Sequence, residues 1–161
     1  MATDAYLLIQ SIKGESQAQG MTDNIELDSF SFGASNAADV GGKGLSAGKC
    51  SLSDFSFTCA LDSASYQIVK DLYSGTHVAT STFKGKKAGG GNTTYVYLTV
   101  IMTNCYITSH STGGGSQGVP SQSISIAYEQ IEYQYYTQDT STGQVSLAGS
   151  ATFNIGQNVA S

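Results

Sequence analysis

Two overlapping glycine patterns occupy residues 113–118. Gly113, Gly115 and Gly118 reproduce the G-x-G-x-x-G spacing that lets a backbone approach a pyrophosphate in dinucleotide sites. Gly114, Ser116 and Gly118 reproduce G-x-S-x-G, which raises a nucleophilic serine on a strained turn. Each chemistry demands a helix directly after the turn, to hold the phosphate with its free amides or to brace the nucleophile. Here Pro120 follows, and then an alternating stretch in which Ile124, Ile126 and Tyr128 share one face, the pattern of a strand. The order of a serine triad fails as well. Its acid and histidine must follow the serine, yet His77 and His110 both precede Ser116.

The other candidates fail on similar grounds. Gly42, Gly44 and Ala47 imitate the dinucleotide spacing, but a strand pattern follows them. Gly48-Lys49 resembles the end of a P-loop, yet Lys43 stands where the first glycine belongs and Cys50 replaces the metal-binding hydroxyl. His77 and His110 have no cysteine or carboxylate at metal-ligand spacing and read as surface or strand-end residues. Glu129 and Glu132 are the nearest acid–base pair, but an odd offset along a strand sends them to opposite faces. Cys50, Cys59 and Cys105 are odd in number and lack C-x-x-C spacing. The first two fall nine residues apart in one predicted strand, on opposite faces, so they cannot pair with each other. Reduced, partly buried thiols are the expectation. No residue is assigned to catalysis, to a cofactor or to a metal, and the chain is read as not an enzyme.

Strand patterns dominate the elements that would position any site. Tyr6-Leu7-Leu8-Ile9 opens the chain. Ile25 and Leu27 are out of phase with Phe30 and Phe32, which predicts a bend at Asp28-Ser29. Phe55, Phe57, Cys59 and Leu61 share a face opposite Asp54, Ser56 and Thr58. Residues Tyr95 to Ile107 are apolar on both faces, as in a long strand covered on both sides. The tyrosines from Tyr128 to Tyr136 change phase, which predicts a second bend.

One helix interrupts this pattern, over residues 63–74. Asp62 or Ser63 can cap it, Ala64, Ile68 and Leu72 recur every four residues, Tyr73 widens the stripe, and Gly75 stops it. Between the elements lie three glycine-rich stretches. The longest, about 33–49, reads as an extended loop, and long ordered loops usually serve a function.

The chain has 161 residues, enough for one domain with a genuine core. Charged residues make up only 12% of it, and there is no arginine. That leaves a polar, weakly charged surface, which a partner can cover at lower desolvation cost than charges would exact. The net charge of −5 argues against nucleic acid as a partner, because phosphate binding needs clustered cations. Lys84, Lys86 and Lys87 are the only cluster and read as a solvated strand edge. No apolar run reaches membrane-spanning length, so no membrane insertion is expected, and the start of the chain lacks the pattern of a secretory signal.

Several segments together resemble the haemolysin-coregulated protein (Hcp) family of type VI secretion. Asp4 to Ser16 resembles that family's opening strand and its Lys-Gly-Glu-Ser turn, here Lys13-Gly14-Glu15-Ser16. Phe30-Ser31-Phe32-Gly33 resembles its aromatic–Ser–aromatic–Gly pattern. The stretch to Gly48-Lys49 resembles its extended loop, and Phe57 to Gly75 its strand and helix. Gln130 to Tyr135 with Thr142-Gly143 resembles its closing hairpin. The chain departs from the family in lacking arginine and tryptophan and in its Gly/Ser-rich loops.

The resemblance implies a mainly β single domain over residues 1–161, a β-barrel of two packed, mostly antiparallel sheets with one flanking helix. It implies a homohexameric ring, rings stacked into an expelled tube, sheath and spike proteins as partners, and small effectors held in the lumen. It also implies synthesis in the bacterial cytoplasm and export to the extracellular space or a target cell. The loop is expected to contact the next ring through Gly41, Gly42, Lys43, Gly44, Leu45 and Gly48. Two other readings stay open at this point: a monomeric β-sandwich module binding glycans or acting as an adhesin, and a phage tail-tube protein.

Overall fold

A computed structural model describes residues 3–38, 41, 48–89 and 93–161. Over these residues the chain is mainly β, with two sheets and one helix. The strands are β1 (Thr3–Ile9), β2 (Ile25–Leu27), β3 (Ser29–Ser31), β4 (Ala34–Asn36), β5 (Cys50–Leu52) and β6 (Phe55–Ala60). Helix α1 (Ser65–Ser74) follows, and then β7 (Val78–Ala88), β8 (Thr94–Gly113), β9 (Ser121–Gln138), β10 (Val145–Asn154) and β11 (Val159–Ala160).

Nine strands form one curled antiparallel sheet. Hydrogen-bonded neighbours run β2–β1–β7–β8–β9, and β9 is long enough to hold two partners on its far side. Its first part pairs with β6, Phe55 opposite Ile126, and its second with β10, Gln138 opposite Val145. β6 in turn pairs with β3.

The predicted bend at Asp28 joins the two ends of this path. β2 pairs with β1 and β3 pairs with β6, while the Asp28 amide donates to Thr58 O across 2.8 Å. The sheet is therefore not closed by a continuous ladder; its ends meet through one bent segment. That bend also restores phase, so Ile25 and Phe30 both turn toward the interior.

Alternation fills the core. Leu7, Ile9, Ile25, Phe55, Phe57, Phe83, Val100, Met102, Ile124 and Ile126 are all buried. Each such side chain contributes about 1.5–3 kcal/mol relative to exposure. Phe30 meets Phe83 with ring centroids 4.3 Å apart, so β3 and β7 touch across the curl. The long strand β8 is sealed toward the core, where Leu98, Val100 and Met102 are buried and Tyr97 packs, and less evenly on the other face, where Thr99 is buried but Ile101 is half-buried.

Helix α1 begins two residues later than its sequence pattern suggests. Ala64 is the cap position and makes no side-chain cap bond. Asp62 supports the turn before it, accepting from Ala64 N at 3.0 Å and from the Ser65 hydroxyl at 3.4 Å. Gly75 ends the helix at φ 66°, as expected. Ile68 faces the core, but Tyr73 is 83% exposed and does not widen the apolar stripe.

Three further expectations change. Lys84, Lys86 and Lys87 sit on β7, which is paired on both sides, with β1 and with β8, and is no edge. Cys50 and Cys59 lie in different strands, β5 and β6, separated at Ser53-Asp54. The stretch 33–49 is not simply a loop. Its described ends form the second sheet, a β4–β5 ribbon pairing Ala34 with Leu52 and Asn36 with Cys50.

Candidate assembly surface

The residues expected to carry the loop contact are only partly placed. Gly41 is exposed and Gly48 is half-buried at the foot of the ribbon; Gly42, Lys43, Gly44 and Leu45 lie outside the described residues. A Cβ on Gly48 would overlap the Ala37 carbonyl, so only glycine lets the two sides of the ribbon approach there. Beside the ribbon's base lies an apolar groove of about 480 Å³, bordered by Phe32, Leu52, Ile131, Tyr133 and Phe153.

The residues weighed for catalysis are not assembled. Residues 114–120 form the tip of the β8–β9 hairpin, with Gly118 at φ 82° and a strand, not a helix, beyond it. His77 Nε2 meets Asn104 Oδ1 at 3.1 Å, and His110 Nε2 meets Gln122 Oε1 at 3.0 Å. Glu129 accepts from Asn104 Nδ2 at 2.7 Å, while Glu132 accepts from Gln134 Nε2 at 2.8 Å. These partners occupy each group in a structural bond. Among the described residues, no group of three or more His, Cys, Asp or Glu side chains could hold a metal.

The titratable groups of the interior are tuned by burial. Burial pushes the Cys59 thiol up to about 11 against a hydrogen bond from Gln122, and the Tyr128 phenol up to about 12. Cys105 is raised by burial too, against the Ser81 side chain. All three cysteines are free. The thiolate is the nucleophile, so thiols held protonated are unreactive.

The surface that the sequence did not reveal emerges from strand register. Ser29 lies opposite Thr58, Thr58 opposite Ser123, and Ser123 opposite Ser111. Two residues along, Ser31 lies opposite Ser56, Ser56 opposite Ser125, and Ser125 opposite Ser109. Two rows of four hydroxyls thus cross β3, β6, β9 and β8 on the face turned away from Phe57 and Ile124. Adjacent members bond directly: Ser29 Oγ to Thr58 Oγ1 at 2.5 Å, and Ser56 Oγ to Ser125 Oγ at 3.0 Å. The rows line a trough of about 410 Å³. Alternating serines in each strand were the available signal. Their alignment depends on a bulge between Ile107 and Ser109, which no spacing rule supplies.

Cations gather elsewhere, among aromatic rings. Lys86 stands 6.0 Å from the Tyr6 ring centroid, and Lys87 stands 5.5 and 5.2 Å from Tyr95 and Tyr97. The Lys86 ammonium also donates to Gln19 O at 2.8 Å.

A curled β-sheet with open edges, a projecting ribbon and a hydroxyl-lined face defines a β-scaffold whose conspicuous features are surfaces for contact. Residues 6–135 match the family described as type VI secretion system effector, Hcp, and the chain belongs to that family. Protein hcp1 of Pseudomonas aeruginosa is 29% identical over 161 residues, spanning 99% of each chain. A solved structure of a type six secretion system protein superposes with TM-score 0.91 at 24% identity, covering 99% of this chain and 100% of its own. Hcp1 from Salmonella typhimurium superposes with TM-score 0.77 at 21% identity, over the full length of both chains. At such identities the structures speak for the fold. The family is one of secreted tube proteins, and no helix among the described residues is long and apolar enough to cross a membrane.

Proposed function

We propose that the chain is a structural subunit of the secretion tube, six copies forming a ring and rings stacking head to tail. The observation that carries this reading is a pair of open strand edges in a chain of this family. Among the described residues, β8 beyond Cys105 pairs only with β9 and β3 only with β6, while α1 lies against β8. Natural sheets protect such edges with lysine, proline or a covering element. Neither residue type occurs in Tyr106–Gly113 or Ser29–Phe32.

The chain would act through geometry and would not be an enzyme. Its sheath and spike partners would meet it as an assembled tube, and small effectors would sit in the lumen. It would be made in the cytoplasm and exported without a signal peptide. The stretch of chain between β4 and β5, with Gly41, Gly42, Lys43, Gly44, Leu45 and Gly48, would touch the next ring. Family membership favours this reading over a glycan-binding module or a phage tail-tube protein.

Light scattering after size exclusion, with negative-stain images of the same peak, tests it. A ring of six subunits of 16.7 kDa would run at about 100 kDa and appear as an annulus. A monomer across a wide concentration range would overturn it. Deletion of residues 41–44 should shorten or abolish tubes while leaving rings; tubes as long as before would exclude the loop contact.

A further inference from the structure

We draw no further inference here: the strongest candidate, the apolar groove beside the base of the β4–β5 ribbon, bordered by Phe32, Leu52, Ile131, Tyr133 and Phe153, carries nothing because nothing in the structure shows what covers it.

Discussion

Across the end of the curled sheet, the Gln122 side-chain amide of β9 donates to the Ser65 hydroxyl at the start of α1, over 2.8 Å. Gln122 is buried, and its amide also lies 3.4 Å from Cys59 Sγ and from Ala60 O. Its carbonyl oxygen meets His110 Nε2. One side chain thus ties the helix to β6, β8 and β9. Gln122→Leu keeps the volume but strands those partners, and should cost about 1–3 kcal/mol in denaturant unfolding. Combined with Ser65→Ala, the loss should be less than additive. An additive pair would show that the two groups act independently.

Asn104 holds a left-handed conformation, φ 54°, inside the 20-residue strand β8. It sits between His77 and Glu129, close to where buried residues on β9 change parity, from Tyr128 to Ile131. A left-handed residue bearing Cβ costs roughly 1–2 kcal/mol, which asparagine offsets through local hydrogen bonds. Asn104→Ala should therefore be more destabilising than Asn104→Gly in thermal melts, because glycine keeps the backbone free while losing only the side-chain bonds. Equal melts would mean that backbone conformation contributes nothing.

Ser81 is buried on β7, and its hydroxyl makes no well-formed hydrogen bond, its neighbour being the Cys105 thiol. An unmet buried donor costs about 1–3 kcal/mol. Ser81→Ala should leave stability unchanged or raise it by about 1 kcal/mol, set against a small cavity. A clear loss in the denaturation midpoint would reveal a working bond to the neighbouring Cys105 thiol.

At the β9–β10 turn, Asp139 accepts from Ser141 N at 2.7 Å, from its hydroxyl at 2.6 Å and from Thr142 N at 3.1 Å. These bonds, led by the Ser141 hydroxyl, hold its carboxyl below the usual range. A carboxyl depressed in the fold stabilises fully above its unfolded value, about 3.9. That contribution is lost as pH falls through the lower, folded value. The Ser141 and Thr142 amide resonances should shift together only at pH below about 3.9, and Asp139→Asn should abolish the titration. Unchanged titration of those amides in the variant would assign it to another group.

The β class, the bend at Asp28 and the glycine stop at Gly75 were legible because each follows from local side-chain pattern. The position of Lys84, Lys86 and Lys87 was not, since three lysines look the same on an edge as on a paired strand whose rings shelter their stems. Nor was the β4–β5 ribbon, whose pairing residues lie on either side of a glycine-rich stretch. The hydroxyl rows were hardest to see. Serine alternation is visible in each strand, but the rows exist only once four strands are aligned, and that alignment turns on one bulge. The loop residues Gly41 to Leu45 were named from resemblance, and their role remains a proposal.

The buried thiols bear on what happens to a secreted protein in transit. Cys59 and Cys105 sit in the interior, protonated and without a disulfide. A protein that leaves the cell passes from surroundings that keep thiols reduced to ones that oxidise them. Here the two interior sulfurs present nothing for that change to act upon. The fold needs no covalent bond at those two positions in either setting, so a change of redox surroundings leaves them as they are.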